Sequence, residues 1–195
     1  MNSDDTFDKK MSDVDWESVY ERQAARGGLT TRFCDLLGLE KGDSVLELGS
    51  GPGYMTAQLA DEISPGNVYA LDRQVGALRY LQDNATRHPS CIHPLCGDVA
   101  ALPLRFSDPI TTIATFLLHH LAEPGAALEA IASVLPPGSP FLIAEYHPAA
   151  AGDFGPPLDH RLAPEQVQNW LSESGFTHED TVALPEEKYA IISRR

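Results

Sequence analysis

From Ser44 to the end of the chain, short apolar runs alternate with longer segments whose apolar residues recur at helical spacing. Short apolar or β-branched runs bounded by turn residues are typical of strands, and spacings of three and four residues are typical of helices. The pattern predicts seven strands, at 44–48, 67–71, 91–95, 110–115, 139–145, 176–183 and 188–193. It predicts helices at 53–63, 75–87, 123–134 and 164–174.

Alternating strands and helices favour an α/β fold, a Rossmann-like three-layer sandwich with helices on both faces of a mostly parallel sheet. The last two strands are joined only by Leu184-Pro185-Glu186-Glu187, which leaves no room for a crossover helix. One of them is therefore expected to be antiparallel. Pro94 removes a backbone donor from the third strand and predicts that this strand lies at a sheet edge. We expect a seven-stranded sheet with one antiparallel strand.

The N-terminal segment differs from the remainder of the chain. Its first residues are polar and acidic, and Trp16 and Tyr20 follow at helical spacing. Residues 30–39 then have the pattern of a short amphipathic helix. We expect 1–28 to form a polar tail and a cap segment, and 29–195 to form a single domain.

Composition narrows the class of protein. The 195 residues are 43% apolar and 22% charged, which is typical of one globular domain. The net charge of −14 disfavours nucleic acid and anionic membranes as partners, because both attract basic surfaces. No apolar run approaches the roughly 20 residues that span a bilayer, and the N-terminus lacks the pattern of a signal peptide. Three cysteines without scaffold spacing predict free thiols and a cytoplasmic location.

The segment VLELGSGPGY, residues 45–54, places three glycines between a predicted strand and a predicted helix. Gly49, Gly51 and Gly53 allow a tight turn and a close approach of a ligand to the backbone at the start of a helix. A dinucleotide fingerprint would place its third glycine at Tyr54, and a P-loop would continue with Gly-Lys-Ser/Thr. Neither pattern is met, so the segment alone predicts a nucleotide-type pocket of unspecified class.

Two acids follow the next two predicted strands. Asp72 ends the second strand, where an acid can accept hydrogen bonds from ribose hydroxyls. Asp98 follows the third strand beside the small apolar residue Val99, where it can contact an adenine amino group. Ordinary turn or helix-cap chemistry is the alternative for both acids. Because no basic residue is placed for a pyrophosphate, the pocket suits a nucleoside without phosphates.

Four ordered motifs resemble those of the class I S-adenosylmethionine-dependent methyltransferases. They are VLELGSGPG at 45–53, VYALDR at 68–73, CGDVAALP at 96–103 and TFLLHHLAEP at 115–124. The resemblance covers about residues 29 to 195 and is closest to small-molecule methyltransferases, including those of quinone biosynthesis. It implies the Rossmann-like fold and S-adenosyl-L-methionine as the cofactor. One departure is the turn Pro136-Pro137-Gly138-Ser139, where the family usually has Lys-Pro-Gly-Gly.

The resemblance also implies roles for individual residues. Glu47 and the Gly49–Gly53 loop would hold the methionine portion, Asp72 the ribose, and Asp98 with Val99 the adenine. Tyr54 and Phe116 are candidates for the aromatic contact to the cofactor. The residues expected around the cofactor are Glu47, Gly49, Ser50, Gly51, Gly53, Tyr54, Asp72, Arg73, Asp98, Val99 and Phe116.

Three histidines are candidates for the chemistry. The reacting end of an open α/β sheet lies beyond the carboxyl ends of its central strands, which places His119, His120 and His147 near the methyl group. Histidine accepts a proton near neutral pH, so one of them would serve as a general base for a hydroxyl or amine acceptor. Local packing and hydrogen bonding of the pair His119-His120 is the alternative interpretation.

Two further segments contain residues of functional interest. Cys91, His93 and Cys96 are close in sequence, but strand alternation divides them between two faces, so no metal site is predicted. The segment 146–161, YHPAAAGDFGPPLDHR, is too rich in glycine and proline for a regular helix. It is either a lid over the site or a solvated connector.

The sequence therefore predicts an enzyme that transfers the methyl group of S-adenosylmethionine to a small-molecule acceptor, at oxygen, nitrogen or carbon. The alternatives are a methyltransferase acting on protein or tRNA, and a non-catalytic S-adenosylmethionine-binding module. The absence of an Asn-Pro-Pro-Tyr-like segment after strand four disfavours amino-group methylation of macromolecules. No nucleic acid or membrane partner is expected, and the oligomeric state is open.

Overall fold

The computed structural model describes residues 14–25, 28–85, 91–102 and 104–195. Every predicted strand and helix is present, with ends that differ by a few residues. The strands are β1 (Ser44–Leu48), β2 (Asn67–Asp72), β3 (Ile92–Cys96), β4 (Thr111–Thr115), β5 (Pro140–Tyr146), β6 (Thr177–Leu184) and β7 (Lys188–Arg194). The helices are α1 (Trp16–Ala25), α2 (Thr30–Leu37), α3 (Tyr54–Ile63), α4 (Val75–Asn84), α5 (Pro124–Val134) and α6 (Pro164–Glu173).

The seven strands form one sheet in the order β3-β2-β1-β4-β5-β7-β6. Strand β7 is antiparallel to both of its neighbours, and the other adjacent pairs are parallel. The prediction of a mostly parallel sheet with one antiparallel strand is confirmed. Strand β3 lies at the edge, as Pro94 predicted. The turn between β6 and β7 is tight, with positive φ at Glu186 (55°) and Glu187 (62°).

Helices cover both faces of the sheet. Because successive side chains of a strand point to opposite faces, Leu46 and Leu48 pack in one core cluster and Val45 packs in the other. The first cluster includes residues of α5 and α6, and the second includes residues of α2, α3 and α4. Burial of each such aliphatic side chain contributes about 1.5–3 kcal/mol, so the apolar pattern of the strands stabilises the three-layer arrangement.

Some predictions fall outside the described residues. These are the acidic tail 1–13, the last two residues of the predicted helix 75–87 and Pro103 of the third motif. Helix α4 is described to its end at Asn84. In the described ranges, no helix is both long enough and apolar enough to cross a bilayer.

Candidate active site

A cavity of about 840 Å³ lies at the carboxyl edge of the parallel strands. Its walls come from the residues that follow β1, β2, β3, β4 and β5, from α1, from the segment 146–161 and from the start of β7. Ligand pockets of proteins are typically about 300–1,000 Å³ in volume. The cavity therefore has room for a nucleoside cofactor and a small second molecule.

The glycine segment forms a tight turn between β1 and α3. Gly49, Gly51 and Gly53 all have positive φ, at 74°, 55° and 90°. The backbone N–H groups of Gly49 and Ser50 donate to the carbonyl oxygen of Leu71, at 2.8 and 3.1 Å. These two N–H groups anchor the turn to β2 and are therefore not available to a ligand. The turn can contribute to ligand binding through its lack of side chains and through the start of α3.

Two of these glycines are required by close packing. A Cβ atom at Gly49 would lie 2.9 Å from the Cδ1 atom of Leu117, and one at Gly53 would lie 2.3 Å from that of Leu81. Gly49 and Ser50 line the cavity, whereas Gly51 and Gly53 do not. Gly53 was predicted to bind the cofactor, and in the structure its bare backbone serves to seat α3 against α4.

Glu47 is a buried acid that lines the cavity. The Thr56 hydroxyl donates a hydrogen bond of 2.6 Å to its Oε2 atom. Burial raises the pKa of Glu47 to about 8, the hydrogen bond from Thr56 opposes this rise, and the charge of Asp72 adds to it. A buried acid of this kind is suited to ionise when a cationic group enters the cavity.

Asp72 and Asp98 both accept hydrogen bonds from the backbone, and their role as ligands of the cofactor stays a prediction. Asp72 accepts hydrogen bonds of 2.8 Å from the backbone N–H groups of Gly51 and Gln74, and Asp98 accepts one of 2.9 Å from Ala100. Both acids also line the cavity. A carboxylate offers about four acceptor positions, so each acid keeps positions for a ligand hydroxyl or amino group.

The remaining predicted cofactor residues also lie at the cavity. Ser50, Tyr54, Arg73, Val99 and Phe116 all contribute to its wall. The buried Ser50 hydroxyl has no hydrogen-bond partner among the described residues. Buried polar groups are normally satisfied, so this hydroxyl fits a polar ligand in the cavity. Together with Glu47 and the two aspartates, these residues fit S-adenosylmethionine.

His119 and Glu145 form a buried dyad. The Nδ1 atom of His119 lies 2.6 Å from Oε2 of Glu145. The other carboxylate oxygen accepts a hydrogen bond of 2.8 Å from the backbone N–H of Leu118, so both oxygens are held. With Nδ1 as the donor to Glu145, the neutral ring leaves Nε2 as a proton acceptor. The residue that fixes the ring comes from β5, 26 positions along the chain.

His120 lines the same part of the cavity, with its ring centroid 4.1 Å from that of His119. Burial, together with the electrostatic effects of His119, Arg73 and His160, lowers the pKa of His120 to about 4. His120 is therefore neutral at pH 7. It is a weaker base than an unperturbed histidine, and its ring serves as a hydrogen-bonding group.

His147 lies away from the other two histidines. It does not line the cavity, its Nδ1 atom accepts a hydrogen bond of 3.1 Å from Ala149, and its ring contacts that of Tyr189. The structure therefore brings together only two of the three predicted catalytic histidines. Sequence position alone could not separate them, because His147 also follows a central strand.

Lys188 lines the cavity and was not predicted from the sequence. Its side chain is only 2% exposed, and its Nζ atom lies 2.5 Å from Oε2 of Glu186. The same Nζ atom lies 6.0 Å from the ring centre of Phe116 and 5.6 Å from that of Tyr146. The available signal was a lysine at the first position of a strand whose next four residues are apolar or aromatic.

The segment 146–161 is anchored over the cavity. The buried Arg161 guanidinium donates to the carbonyl oxygens of His147, Phe154 and Pro156, and forms an ion pair of 2.8 Å with Glu187. Glu187 in turn accepts hydrogen bonds from the backbone N–H groups of Gly152 and Asp153. Gly155, Pro156 and His160 reach the cavity wall from this segment.

Helix α1 forms another part of the cavity wall. Val19, Arg22 and Gln23 contribute to the cavity wall, and the Tyr20 ring packs edge-on against Tyr54 at 5.5 Å. The helical spacing of apolar residues predicted a cap here, but it gave no signal for Arg22 and Gln23.

The cysteine and histidine positions of β3 have structural partners. The Nε2 atom of His93 lies 2.8 Å from the Oδ1 atom of Asn67, and its ring stacks on Tyr69. Cys91 is buried and Cys96 is exposed. Over the part of the chain that is described, no three His, Cys, Asp or Glu residues come together as metal ligands would.

Comparison with known proteins agrees with this geometry. Residues 45–138 match the family described as "Methyltransferase domain". The chain is 28% identical over 187 residues to the O-methyltransferase cnsE of Penicillium expansum, covering 88% of this chain and 66% of that protein. It is 29% identical over 132 residues to the biotin biosynthesis bifunctional protein BioHC of Cellvibrio japonicus, covering 68% of this chain. The chain spans only 24% of that bifunctional protein.

Solved structures share the fold at low sequence identity. A SAM-dependent methyltransferase from Aquifex aeolicus superposes with a TM-score of 0.78 at 22% identity, over 85% of this chain and 88% of that one. The [4+2]-cyclase SpnF superposes with a TM-score of 0.75 at 17% identity, over 86% and 80%. The fold is thus shared with proteins of different named activity, and the likeness in sequence to methyltransferases rests on the matched domain. The chain is therefore similar to S-adenosylmethionine-dependent methyltransferases, in sequence over residues 45–138 and in fold over most of its length.

Proposed function

We propose that this protein is an S-adenosylmethionine-dependent methyltransferase that modifies a small-molecule acceptor, through a hydroxyl or amino group. The observation that carries the proposal is a cavity of about 840 Å³ to whose wall both α1 and the anchored segment 146–161 contribute. A cavity of this volume has room for a small acceptor beside the nucleoside cofactor, whereas a folded protein or tRNA could enter it only with a single side chain or base.

Residues of the first three strands hold the cofactor in this proposal. Glu47, Ser50, Asp72 and Asp98 supply polar groups that line the cavity. When bound, S-adenosylmethionine supplies an electrophilic methyl group and a neutral thioether leaving group. Positioning and exclusion of water are then the main contributions of the protein.

His119 removes the proton of the acceptor. Glu145 holds Nδ1 of His119 at 2.6 Å and thereby fixes the tautomer in which Nε2 accepts a proton. Bound S-adenosylmethionine would supply the methyl group to the acceptor oxygen or nitrogen and leave as the thioether, and Nε2 of His119 would take the acceptor proton. Glu145 stabilises the imidazolium that results. Neutral His120 orients the acceptor by hydrogen bonding.

The location and organisation of the chain complete the proposal. The three cysteines are free, which supports a reducing cytoplasmic environment. We assign residues 1–28 to a tail and cap segment and 29–195 to the catalytic domain.

Methyl transfer to fractionated cell material tests this function. Purified enzyme is incubated with S-adenosylmethionine labelled in its methyl group and with three separate fractions, namely deproteinised metabolites, total protein and total RNA. Label is expected in a new small-molecule product. Label confined to protein or RNA would replace the proposal with the macromolecular alternative. Binding of S-adenosylhomocysteine without any methyl transfer would favour a non-catalytic binding module.

A further inference from the structure

We propose that Lys188 binds a carboxylate of the acceptor, so that the substrate class is small organic acids that also carry a hydroxyl or amino group. This inference rests on the proposed function and identifies its substrate class. It follows from the placement of a lysine in the wall of the cavity, from its incomplete set of partners, and from the charges on that side of the cavity.

The partners of Lys188 leave part of its ammonium group available. An ammonium has three N–H donors, and the described structure supplies one carboxylate, that of Glu186 at 2.5 Å. The rings of Phe116 and Tyr146 face the charge at 6.0 and 5.6 Å, and aromatic faces attract cations without accepting a strong hydrogen bond. A buried charge is costly unless its donors are satisfied, so a second anion in the cavity complements Lys188.

The backbone supports this placement. Lys188 pairs across the sheet with Tyr146, the last residue of β5, which brings the lysine to the carboxyl edge where the cavity lies. The adjacent turn holds Glu186 and Glu187 in the left-handed region, which is costly for residues other than glycine. Both strained residues pair with a buried cation, Glu186 with Lys188 and Glu187 with Arg161.

The carboxylates that line the cavity are confined to one half of it, which also contains Arg73. Glu47 lies in β1, Asp72 ends β2 and Asp98 follows β3, in the half proposed to hold the cofactor. The other half is lined from the ends of β4 and β5, the segment 146–161 and the start of β7. There the described lining residues include Lys188 and three histidines and no aspartate or glutamate. A wall that contains the Lys188 ammonium and no described carboxylate favours an anionic acceptor over a cationic one.

The carboxylate bound by Lys188 is not the atom that receives the methyl group. An ammonium bonded to a carboxylate withdraws electron density and lowers its nucleophilicity, and a free carboxylate needs no general base. The His119–Glu145 dyad serves a group that must lose a proton. The acceptor therefore carries two functional groups, an anion at Lys188 and a hydroxyl or amine at His119, and its product retains the anion.

Anion-exchange separation of labelled products tests this inference. The deproteinised metabolite fraction is methylated with labelled cofactor, and the products are applied to an anion exchanger at pH 8. The labelled product is expected to be retained. A labelled small-molecule product that flows through would overturn the inference while leaving the proposed function intact. Absence of any labelled small-molecule product would reject the proposed function itself, together with the inference.

Substitutions of Lys188 test whether this residue binds the anionic group of the acceptor. Lys188→Met is expected to raise KM for the retained acceptor at least ten-fold, and Lys188→Arg, which keeps the charge, to raise it less. Lys41→Met, at an exposed lysine, is the matched control and should leave KM unchanged. Affinity for S-adenosylhomocysteine, measured by calorimetry, should be the same in all four proteins. An unchanged KM in a folded Lys188→Met variant would contradict a binding role for Lys188.

Discussion

At the scale of single residues, the geometry of His119 and Glu145 has a direct chemical consequence. One carboxylate oxygen of Glu145 is hydrogen-bonded to the histidine ring, and the other accepts a hydrogen bond from the backbone N–H of Leu118. The carboxylate therefore fixes both the position and the tautomer of that ring. His120 and His147 lack such a partner among the contacts described above. The proposed base, His119, therefore differs from the other two histidines in its hydrogen bond to a buried carboxylate, and not in its residue type.

Removal of this base should lower turnover more than binding. We expect His119→Ala to lower kcat by about 10²- to 10⁴-fold, because general-base catalysis typically contributes that much. Glu145→Gln should lower kcat by about ten-fold or more, because the amide supports the required tautomer less well. The measurement is steady-state kinetics with the acceptor found by methyl labelling, alongside the affinity for S-adenosylhomocysteine.

The control is His178→Ala, which removes an exposed histidine on β6. Its kcat should equal that of the parent enzyme. Equal kcat values in the parent enzyme and the His119→Ala variant would reject the assignment of His119 as the base.

Glu47 has a consequence for stability that depends on pH. Burial raises its pKa in the folded state to about 8, above the ordinary value of 4.5, so the folded protein holds a proton that the unfolded chain releases. This contribution to stability is present below about pH 4.5 and is lost as pH rises towards 8. Glu47→Gln removes the linkage, so the variant should gain stability relative to the parent as pH increases.

Urea unfolding at pH 5 and pH 8, without cofactor, measures this effect. The unfolding free energy of Glu47→Gln minus that of the parent should be more positive at pH 8 than at pH 5. Glu129→Gln, at an exposed position on α5, should show no such trend. A difference that is the same at both pH values would mean that Glu47 titrates normally.

At the scale of elements, the β1–α3 turn links the cofactor site to the packing of α3 against α4. Gly53 has a φ of 90°, and a Cβ there would lie 2.3 Å from Leu81. Gly38, which ends α2, has a φ of 63°, and a Cβ at this position would enter open space. Comparison of alanine substitutions at the two positions therefore separates the cost of backbone strain from the cost of steric overlap.

Gly53→Ala should destabilise the protein more than Gly38→Ala does. We expect Gly38→Ala to cost about 1 kcal/mol from its left-handed backbone, and Gly53→Ala about 2–4 kcal/mol, because Leu81 must also move. Unfolding by urea measures both values. Equal costs would mean that Leu81 repacks freely and that packing does not require this glycine.

At the scale of the whole molecule, the chain combines a strong acidic charge with a cavity whose proposed acceptor half is lined by Lys188 and by no described carboxylate. The net charge is −14 and the isoelectric point is about 4.7. Repulsion between like surface charges opposes the compact state at neutral pH, and salt screens it because the Debye length is about 10 Å at 0.1 M.

Salt should therefore stabilise the protein at neutral pH. We expect Tm at pH 7 to rise by about 3 °C between 20 mM and 500 mM NaCl. Near pH 4.7, where the net charge vanishes, the same addition should change Tm little. Differential scanning calorimetry gives both values. A decrease of Tm with salt at pH 7 would indicate that attractive surface pairs dominate over repulsion.

The sequence by itself determined the order of the elements and the parallel sheet with one antiparallel strand, and it predicted most of the residues that line the proposed cofactor half of the cavity. Those features follow from local pattern, because strand and helix periodicity and turn residues are read over a few positions. Each cofactor candidate after β1, β2 and β3 also directly follows a strand end, and parallel strands bring their carboxyl ends to one edge.

The tertiary structure alone decided the acceptor half. Glu145 lies 26 residues from His119, and Lys188 reaches Phe116 only because β7 is inserted next to β5. Such partners depend on strand order and on the direction of each side chain, which no local period specifies. Strand order and side-chain direction also place His147 away from the other two histidines, and they bring Gly53 against Leu81. The sequence motifs thus predict the methyl donor, and the three-dimensional arrangement supports the proposed chemistry of the acceptor.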